Sequence, residues 1–320
     1  MPGVLSRALR RAGQAVFVVW AAFTGAFVAL YLLPSDPVTL MLAQKAGGDT
    51  AVIDPAQAAQ LRSAYGFDRP LWEQYLTLLG RAVTGDFGAS VQTGEPVRGL
   101  VLGALPQTAG LAAFALLLAL GAGVALALLA GLTRNGFLRQ VLESVPAAGV
   151  SIPSFWLGLL LLQLLAFHWS LFPATGGDGF ASLVLPAITL AVPTAAIVAQ
   201  VLGRSLRETL AQPYVQLAQA KGASRVWILF RHALRNASLP AVTITGILVG
   251  NLLGGAVVVE TVFGRHALGA VTVDAVSNQD LPVVLGLVVL AAVVYVVVSL
   301  VVEAIYPLLD PRVRPVVRSR

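Results

Sequence analysis

The chain has 320 residues, of which 57% are hydrophobic and only 11% are charged, and its mean hydropathy is +0.83. Soluble domains carry about 25% charged residues, so these charges are too few to cover a water-facing surface. The chain contains no cysteine, which excludes disulfides, thiolate metal sites and a cysteine nucleophile. We therefore expect a membrane protein.

Six stretches without Asp, Glu, Lys or Arg are long enough to cross a bilayer. A hydrocarbon core of about 30 Å is crossed by about 20 helical residues, and each stretch has at least 22. A helix is the expected form because lipid does not satisfy exposed backbone polar groups. The sequence thus predicts an all-α polytopic protein with six transmembrane helices, in the intervals 12–35, 99–133, 144–177, 179–203, 236–259 and 281–302.

The first apolar run, from Gln14 to Leu33, follows three arginines and resembles a signal peptide at first sight. It is longer than the roughly 7–15 residues of a signal-peptide apolar region, and it ends at LLPSDP rather than at a small-residue cleavage site. We interpret it as a retained transmembrane helix.

Basic residues are unevenly distributed among the loops. With the N-terminus in the cytoplasm, fifteen of the 21 Lys and Arg residues fall in inner segments, as the positive-inside rule requires. Both termini are therefore predicted to be cytoplasmic, in a plasma membrane. The net charge of +6 follows from this topology and needs no nucleic-acid partner.

The long outer segment after the first span contains two predicted short helices. Asp54 as N-cap, Pro55 at the first helical position and Gly66 after the last turn mark one helix. A second is predicted from Pro70 to about Val83. The segment is either a helical cap on the bundle or a docking surface for an extracytoplasmic partner.

The later spans are predicted in chain order at about 104–132, Val141–Phe167, Leu183–Gly203, 241–262 and 282–308. The fifth carries Gly246, Gly250 and Gly254 at four-residue spacing. Such a face permits close helix approach. We interpret it as a packing face, either within this chain or against a second membrane subunit.

Reactive groups are scarce in the predicted spans. The three histidines, His168, His232 and His266, lie at or beyond membrane boundaries, and no metalloprotease, hydrolase-elbow or Walker A motif occurs. We expect no enzymatic activity, metal or cofactor in this chain. Glu260, at the outer end of the fifth span, is either a pore or gate residue or a local structural hydrogen-bonding group.

The inner loop 204–240 is the largest inner feature and has the periodicity of two short helices, 214–221 and 224–236, separated by Gly222. Pro240 is compatible with the start of the fifth span. In the second helix we expect one apolar stripe and a separate basic face. The stripe comprises Val226, Phe230, Ala233 and Leu234, and the basic face Arg231 and Arg235.

Three interpretations of this loop compete. A basic amphipathic segment can lie on anionic lipid, a helix can insert its apolar stripe into a partner's groove, and a calmodulin-like target is a weaker third.

The run LAQAKGASRVWILFRHALRNASLP (217–240) resembles the coupling loop of ABC importer permeases of the dipeptide, oligopeptide and nickel branch. Further stretches resemble other motifs of the same family and extend the similarity over most of the chain in order. These are LLPSDPV (32–38), YGFDRPLWEQYLTLLGRAVTGDFGAS (65–90), SIPSFWLGLLL (151–161), LFPATGG (171–177) and LDPRVR (309–314). The resemblance is to the B-type permease subunit.

The resemblance implies a type I ABC importer permease fold in which the loop contains a helix that docks on a cytoplasmic ATPase subunit. The family's glutamate position falls on Gln216 and its first alanine on Leu217. By this resemblance the coupling residues are Gln216, Leu217, Ala218, Ala220, Lys221, Gly222, Ala223, Arg231, His232, Leu239 and Pro240. After Glu260 the family often has Pro-Gly, whereas this chain reads FGRHALGA.

The resemblance also implies the partners: a second homologous permease subunit, one or two ATPase subunits and an extracytoplasmic substrate-binding protein. ATP and magnesium would be bound by those ATPase partners. The implied function is uptake of dipeptides or oligopeptides by alternating access. The alternatives are a related substrate (a nickel chelate, glutathione or haem) or a self-contained secondary transporter or channel.

The chain is accordingly divided into three parts. Residues 1–103 form the first span and the outer helical segment, 104–309 form the five-helix permease core, and 310–320 form a basic cytoplasmic tail.

Overall fold

The structure is a computed structural model that describes residues 2–32, 38, 39, 42, 55–176 and 179–309, with the side chains of 2–8, 65, 303 and 305–309 outside the description. Four of the features discussed above lie wholly or mostly outside the described residues: the stretch LLPSDPV (32–38), the cap Asp54, the stretch LDPRVR (309–314) and the tail 310–320. Apart from one bridge between Ala89 and Pro96, the regular structure of the described residues is helical.

The helices follow one another along the chain and are numbered here in that order. They are α1 (Pro2–Tyr31), α2 (Pro55–Tyr65), α3 (Leu71–Val83), α4 (Val97–Leu132), α5 (Gly136–Ser151), α6 (Ser154–Leu161), α7 (Ala181–Leu210), α8 (Pro213–Ala220), α9 (Arg225–Ile228), α10 (Leu234–Val262), α11 (Leu268–Ser277) and α12 (Leu281–Leu309). Wider π-type turns extend α6 through Leu162–His168 and join α9 to α10 through Leu229–Ala233.

Five described helical stretches are long and apolar enough to cross a membrane, and α5 with the extended α6 forms a bent sixth. The five are Leu9–Tyr31, Val97–Leu132, Ala181–Leu210, Arg225–Val262 and Leu281–Val302. The predicted all-α class is confirmed, and the span count of six holds when the bent pair is counted as one span.

The third predicted span is wrong in shape. Instead of one helix over Val141–Phe167, the chain bends by 99° between α5 and α6. Ile152 has φ −83° and ψ 122°, an extended conformation. The residue before a proline is disfavoured in the helical region, and Pro153 follows it. Pro186 and Pro193, by contrast, lie inside α7 without ending it.

One compact unit comprises Met1–Gln107 and His266–Val296. Its core joins Phe23 and Phe27 of α1 to Leu281 and Leu285 of α12. Tyr75 of α3 adds an edge-on ring contact to Phe27, with ring centroids 5.3 Å apart. The indole N–H of Trp20 also donates to the Tyr75 hydroxyl at 2.9 Å. These contacts fix the outer helix α3 to the first span.

A second compact unit comprises Thr108–Arg265 and Val297–Arg320. Helix α7 is its most buried element, since 61% of its most apolar stretch is buried against 33% or less in the other spans. Two of its buried residues, Leu185 and Leu190, form a core with Leu111 of α4 and Phe263, which follows α10.

Glycines allow other helices to approach α7 closely. A Cβ on Gly123 of α4 would lie 2.7 Å from the carbonyl oxygen of Ala195 and 2.8 Å from the Cβ of Val198. A Cβ on Gly149 of α5 would lie 2.9 Å from the Cβ of Ala196. Both helices therefore depend on the absence of a side chain at the contact.

We expect Gly123→Ala to destabilise the protein by roughly 1–3 kcal/mol, the usual cost of overpacking a tight site. The obstructing atom is a backbone carbonyl, which has little room to shift. The measurement is the thermal unfolding midpoint of the purified chain in detergent.

Gly121→Ala is the matched control, because a Cβ on Gly121 of the same helix would meet nothing within 4 Å. It should leave the midpoint unchanged or raise it, since alanine favours the helix by about 1 kcal/mol over glycine. An equal fall of the unfolding midpoint in Gly123→Ala and Gly121→Ala would contradict the proposed contact.

Candidate functional site

The segment 213–240 begins with a short helix that ends at a glycine. Gly222 has φ +85°. The backbone N–H groups of Gly222 and Ala223 donate to the carbonyls of Gln219 and Ala218, at 2.9 and 3.1 Å. This is the Schellman motif, whose left-handed residue is usually glycine. The helix break predicted at Gly222 is confirmed.

A second helix resumes two residues later. The Oγ of Ser224 accepts a hydrogen bond from the N–H of Trp227 at 3.3 Å and caps α9. From Arg225 the chain then runs as one helical span to Val262. The expectation that the span starts near Pro240 is therefore wrong, because Pro240 lies inside α10. Pro240 is exposed, so the carbonyl that it leaves free is not buried inside the bundle.

One side of the second helix is packed into the protein. Ile228, Leu229 and Ala233 are completely buried. Leu229 and Ala233 belong to a core cluster with Leu202 and Leu206 of α7. The C-terminal end of α7 therefore holds this segment in place.

The predicted apolar stripe of the second helix is only partly correct. Ala233 is buried and Leu234 is partly buried, but Val226 and Phe230 are 54% and 51% exposed. The stripe assumed 3.6 residues per turn. The wider turn at Leu229–Ala233 follows a different repeat, so the buried positions move to Ile228 and Leu229.

The exposed side of both helices combines apolar and basic groups. We call it the two-helix surface, and it comprises Tyr214, Leu217, Lys221, Val226, Trp227, Phe230, Arg231 and Arg235. The ring of Trp227 contacts that of His232 edge-on, with centroids 4.6 Å apart. The side-chain amide of Asn236 donates to the Tyr214 hydroxyl at 3.4 Å, which joins α8 to α10.

The remaining residues of the predicted coupling set lie on or beside this surface. Gln216 and Ala220 are exposed. The partly buried ones are Ala218, Ala223, His232 and Leu239.

Glu260 is completely buried at the opposite end of α10. The backbone N–H of Arg265 donates to the Glu260 carbonyl at 2.9 Å, and Gly264 has φ +59°, so a second Schellman motif closes this helix. Arg265 is also buried, and its Nη1 donates to the Ser182 carbonyl at 3.0 Å. The pore or gate role of Glu260 stays a prediction.

The three glycines of the predicted packing face have different surroundings. A Cβ on Gly246 would lie 3.2 Å from Val302 of α12. Gly250 is partly buried. A Cβ on Gly254 would meet nothing within 4 Å. The face is therefore packed at one end and open at the other, and its role stays a prediction.

Asn251 is a polar residue near the middle of the fifth span that the sequence alone did not single out. It lies on an exposed stripe of α10, and its side chain makes no hydrogen bond to the described residues. The stripe comprises Thr243, Ile247, Asn251, Gly254, Val258 and Thr261. Polar groups at membrane depth usually face protein or water rather than lipid.

Asp280 is a second residue whose role the sequence alone did not reveal. It precedes α12, is 3% exposed, and accepts a hydrogen bond from the Ser90 hydroxyl. It also accepts hydrogen bonds from the N–H groups of Val91 and Gln92, at 3.2 and 3.3 Å. The carboxylate therefore fixes the turn after α3 to the start of the last span.

The same unit contains a cavity of about 360 Å³ on the turn between α2 and α3, lined among others by Arg69, Gln74 and Arg81. Arg81 also pairs with Asp86 at 2.8 Å. The hydrogen bond from Gly88 N–H, and then that from Arg81, hold the pKa of Asp86 below its usual value.

Residues 123–315 match the family described as "Binding-protein-dependent transport system inner membrane component". The chain belongs to this family. It is 32% identical over 339 residues to the dipeptide transport system permease protein DppB of Escherichia coli (strain K12), with 96% of this chain and 98% of that protein covered.

Two further relatives are similar to this chain to a comparable degree. The probable peptide ABC transporter permease protein y4tP of Sinorhizobium fredii (strain NBRC 101917 / NGR234) is 34% identical, covering 96% of this chain and 98% of that protein. The glutathione transport system permease protein GsiC of E. coli (strain K12) is 33% identical, covering 90% and 92%.

The fold agrees with the family. A solved structure of the MetNI methionine ABC transporter in an inward-facing conformation superposes with a TM-score of 0.57 and 18% identity, covering 66% of this chain and 96% of that chain. Together with the apolar spans, the family places this chain in an inner membrane as a transport component. Its resemblance to ABC importer permeases is thereby confirmed.

We expect Asp280→Ala to destabilise the permease by roughly 3 kcal/mol, because it leaves several buried donors without an acceptor. Asp280→Asn, which keeps one acceptor oxygen, should lose less. The readout is again the thermal unfolding midpoint in detergent.

Asp274→Ala removes an exposed carboxylate six residues earlier and should have little effect. If Asp280→Ala melted at the temperature of that control, the carboxylate would not be what holds the Ser90 turn.

Proposed function

We propose that this permease is the membrane subunit of an ATP-driven importer and that a cytoplasmic ATPase subunit docks on its two-helix surface. The observation that supports this is a helix–glycine–helix segment that is buried on one side and exposed on the other. A solvated loop has no need to expose a Trp, a Phe and a Leu together. Apolar side chains beside basic ones are what a docking helix presents to a partner's groove.

The two-helix surface is attached to the spans in a way that suits the transmission of force. The second helix is continuous with a span of 38 residues, which corresponds to roughly 57 Å at 1.5 Å per residue. Its buried side packs against the inner end of α7. Movement of a docked ATPase would therefore displace α10 and α7 together, and alternating access would follow from such a rigid-body shift.

The chemistry of docking in this chain is apolar and basic rather than acidic. Gln216 stands where the resembling family has glutamate, and no acid occurs between Glu208 and Glu260. Docking would then depend on contacts of Leu217, Trp227 and Phe230. Lys221 and Arg231 would add positive charge on the same surface. ATP and magnesium would be bound by the partner subunits, and this chain would hold no cofactor.

A second, homologous permease subunit is the partner that we propose for the exposed stripe of α10. Gly254 would permit close approach of another helix, and Asn251 would be shielded from lipid by that subunit or by the water-filled path between the two. An extracytoplasmic binding protein would deliver substrate to the opposite end. The outer helices α2 and α3 are its proposed docking surface.

We propose peptides as the substrate class, because two of the relatives above carry dipeptide or peptide in their names. Glutathione, itself a tripeptide, is the second candidate and is named for the third relative. A nickel chelate or haem has no counterpart among these three names and ranks below both, as does a self-contained secondary transporter or channel.

Leu217→Asp should abolish co-purification of the ATPase subunit and reduce ATP-driven uptake at least tenfold, because it places an acid in an apolar contact. Leu217 is 57% exposed, so folding should be unaffected. The measurement is the ATPase recovered with the tagged permease from membranes.

Leu171→Asp is the control, since Leu171 is 63% exposed in the loop after α6, at the other end of this unit. It should recover the ATPase as the wild type does. If Leu217→Asp also recovered it fully, the docking site would lie elsewhere, and if no ATPase were recovered with the wild type, the importer proposal would fail.

Uptake assays on the complex reconstituted in proteoliposomes should distinguish the substrates. We expect ATP-dependent accumulation of a labelled dipeptide in the presence of the binding protein, with glutathione transported more slowly. Equal or faster uptake of glutathione would overturn the peptide assignment while leaving the importer proposal intact.

A further inference from the structure

Two adjoining cavities lie where the inner ends of α4, α5 and α7 meet. The first has a volume of about 280 Å³, and the second of about 320 Å³. Their linings share Ala127, Ala130, Glu143, Gly203 and Arg207. The two cavities are therefore direct neighbours.

The smaller cavity is strongly cationic. Arg139, Arg207 and Arg225 all line it, and Glu143 is the one acid among its described lining residues. Arg207 pairs with Glu143 at 3.1 Å. One acid against three guanidinium groups leaves a surplus of two positive charges around the cavity.

Helix capping accounts for the position of two of these arginines but not for their remaining donors. The Nη2 of Arg139 donates to the Thr133 carbonyl at 2.8 Å, and the Nε of Arg225 donates to the Gly131 carbonyl at 3.0 Å. Both carbonyls lie at the C-terminal end of α4, where cations are favoured. The Nε of Arg139 is buried and has no hydrogen-bond partner among the described residues.

The larger cavity has a mixed lining, in which Glu143, Gln200 and Arg207 accompany several apolar residues. Leu126 of α4, Leu142 and Pro146 of α5 and Ala199 of α7 line it. Arg204 also lines it but is paired with Glu208 on its own helix at 3.0 Å. A group of apolar side chains next to a cationic cavity suits an amphiphile with an anionic head.

We propose that this site binds a phosphate group, with Arg139, Arg207 and Arg225 as its ligands. Guanidinium groups bind phosphate oxygens through paired N–H donors. Basic pockets between helices on the cytoplasmic side of membranes bind anionic lipid headgroups. The apolar side chains of the adjoining cavity, Leu126, Leu142 and Pro146, favour a phospholipid over free phosphate, since they can contact the start of an acyl chain.

Occupation of the site would connect three elements. Arg225 belongs to α9, which carries part of the two-helix surface, whereas Arg139 and Arg207 belong to α5 and α7. A bound phosphate would therefore fasten the inner loop to the spans beneath it.

The test uses opposite effects of two substitutions in one ion pair. Arg207→Gln removes a ligand and should lower phosphate binding about fivefold, the contribution of one basic residue near an anionic surface. Glu143→Gln removes the competing acid and should raise binding by a similar factor. If the Arg207–Glu143 pair served only to hold the helices together, both substitutions would have the same sign.

Arg134→Gln is the matched control, because Arg134 is an exposed residue of the same basic turn and does not line either cavity. This variant should bind phosphate as the wild type does. An effect as large as that of Arg207→Gln would show that general surface charge, not the cavity, attracts the anion, and would overturn the proposal.

Two arms distinguish the sources of the phosphate. In the first, the full-length chain with its co-purifying subunits is placed in phosphatidylcholine nanodiscs with and without phosphatidylglycerol, and retained phosphatidylglycerol is counted by native mass spectrometry. In the second, inorganic phosphate is added to pure phosphatidylcholine nanodiscs, and the shift of the thermal unfolding midpoint is compared with chloride at equal ionic strength.

Retention of phosphatidylglycerol that falls in Arg207→Gln and rises in Glu143→Gln supports a lipid headgroup. Free phosphate is supported by a phosphate-specific shift of the unfolding midpoint that is smaller in Arg207→Gln and larger in Glu143→Gln, with no lipid retained. The absence of both signals, or changes of the same sign in the two variants, would overturn the site.

Discussion

Close approach to α7 is the contact on which the second compact unit depends. In lipid, helices gain little from hydrophobic burial, so van der Waals packing of small residues drives their association. Gly123 and Gly149 place α4 and α5 directly against the α7 backbone region at Val192–Val198. Gly158 of α6 lies against Thr189, and Gly255 of α10 against Leu190. Four helices thus meet one. A Cβ on Gly123 or Gly149 would overlap with atoms of α7, and a Cβ on Gly158 or Gly255 would require its neighbour to shift by a few tenths of an ångström.

Helix α7 also supports the two-helix surface. Leu202 and Leu206 lie beyond the glycine contacts, toward the C-terminal end of α7, and pack against Leu229 and Ala233. The helical segment that carries the exposed Trp227 and Phe230 is thereby packed against α7, although the sequence alone placed both residues in a loop between two spans. The proposed docking of an ATPase would need a surface that is exposed on one side and packed on the other. A flexible surface would absorb the movement of its partner instead of passing it on.

Local chemistry made part of this structure predictable. Gly66 and Gly222 each follow a short helix at the left-handed position, and both stops were predicted from the residue type and its place after an apolar repeat. The spans were predictable for the same reason, since the absence of charge over about 20 residues leaves few other structures. The ends of the spans were less predictable, because helices such as α7 continue past the apolar stretch into charged residues.

Other features depend on context that a local pattern does not contain. Pro153 ends a helix while Pro186 and Pro193 do not, although all three lie in apolar stretches. The wider turn at Leu229–Ala233 changes which side of the helix is buried, and the repeat of 3.6 gave no sign of it. Asp280 could not be assigned a role because its partner, Ser90, is 190 residues away. The exposed Asn251 became informative only when its helix face was known.

The discontinuous first unit has a consequence for biogenesis. Its residues come from both ends of the chain, Met1–Gln107 and His266–Val296, and the hydrogen bonds to Asp280 close it. During synthesis, the first span and the turn at Ser90 leave the ribosome before the whole of the second unit's main segment, Thr108–Arg265. Phe23 and Phe27 are therefore in the membrane without their partners Leu281 and Leu285 until the main segment of the second unit has been made. The second unit can assemble during that interval, since most of its contacts lie within one continuous stretch. The first span is thus inserted before the second unit is made, but it completes its packing only afterwards.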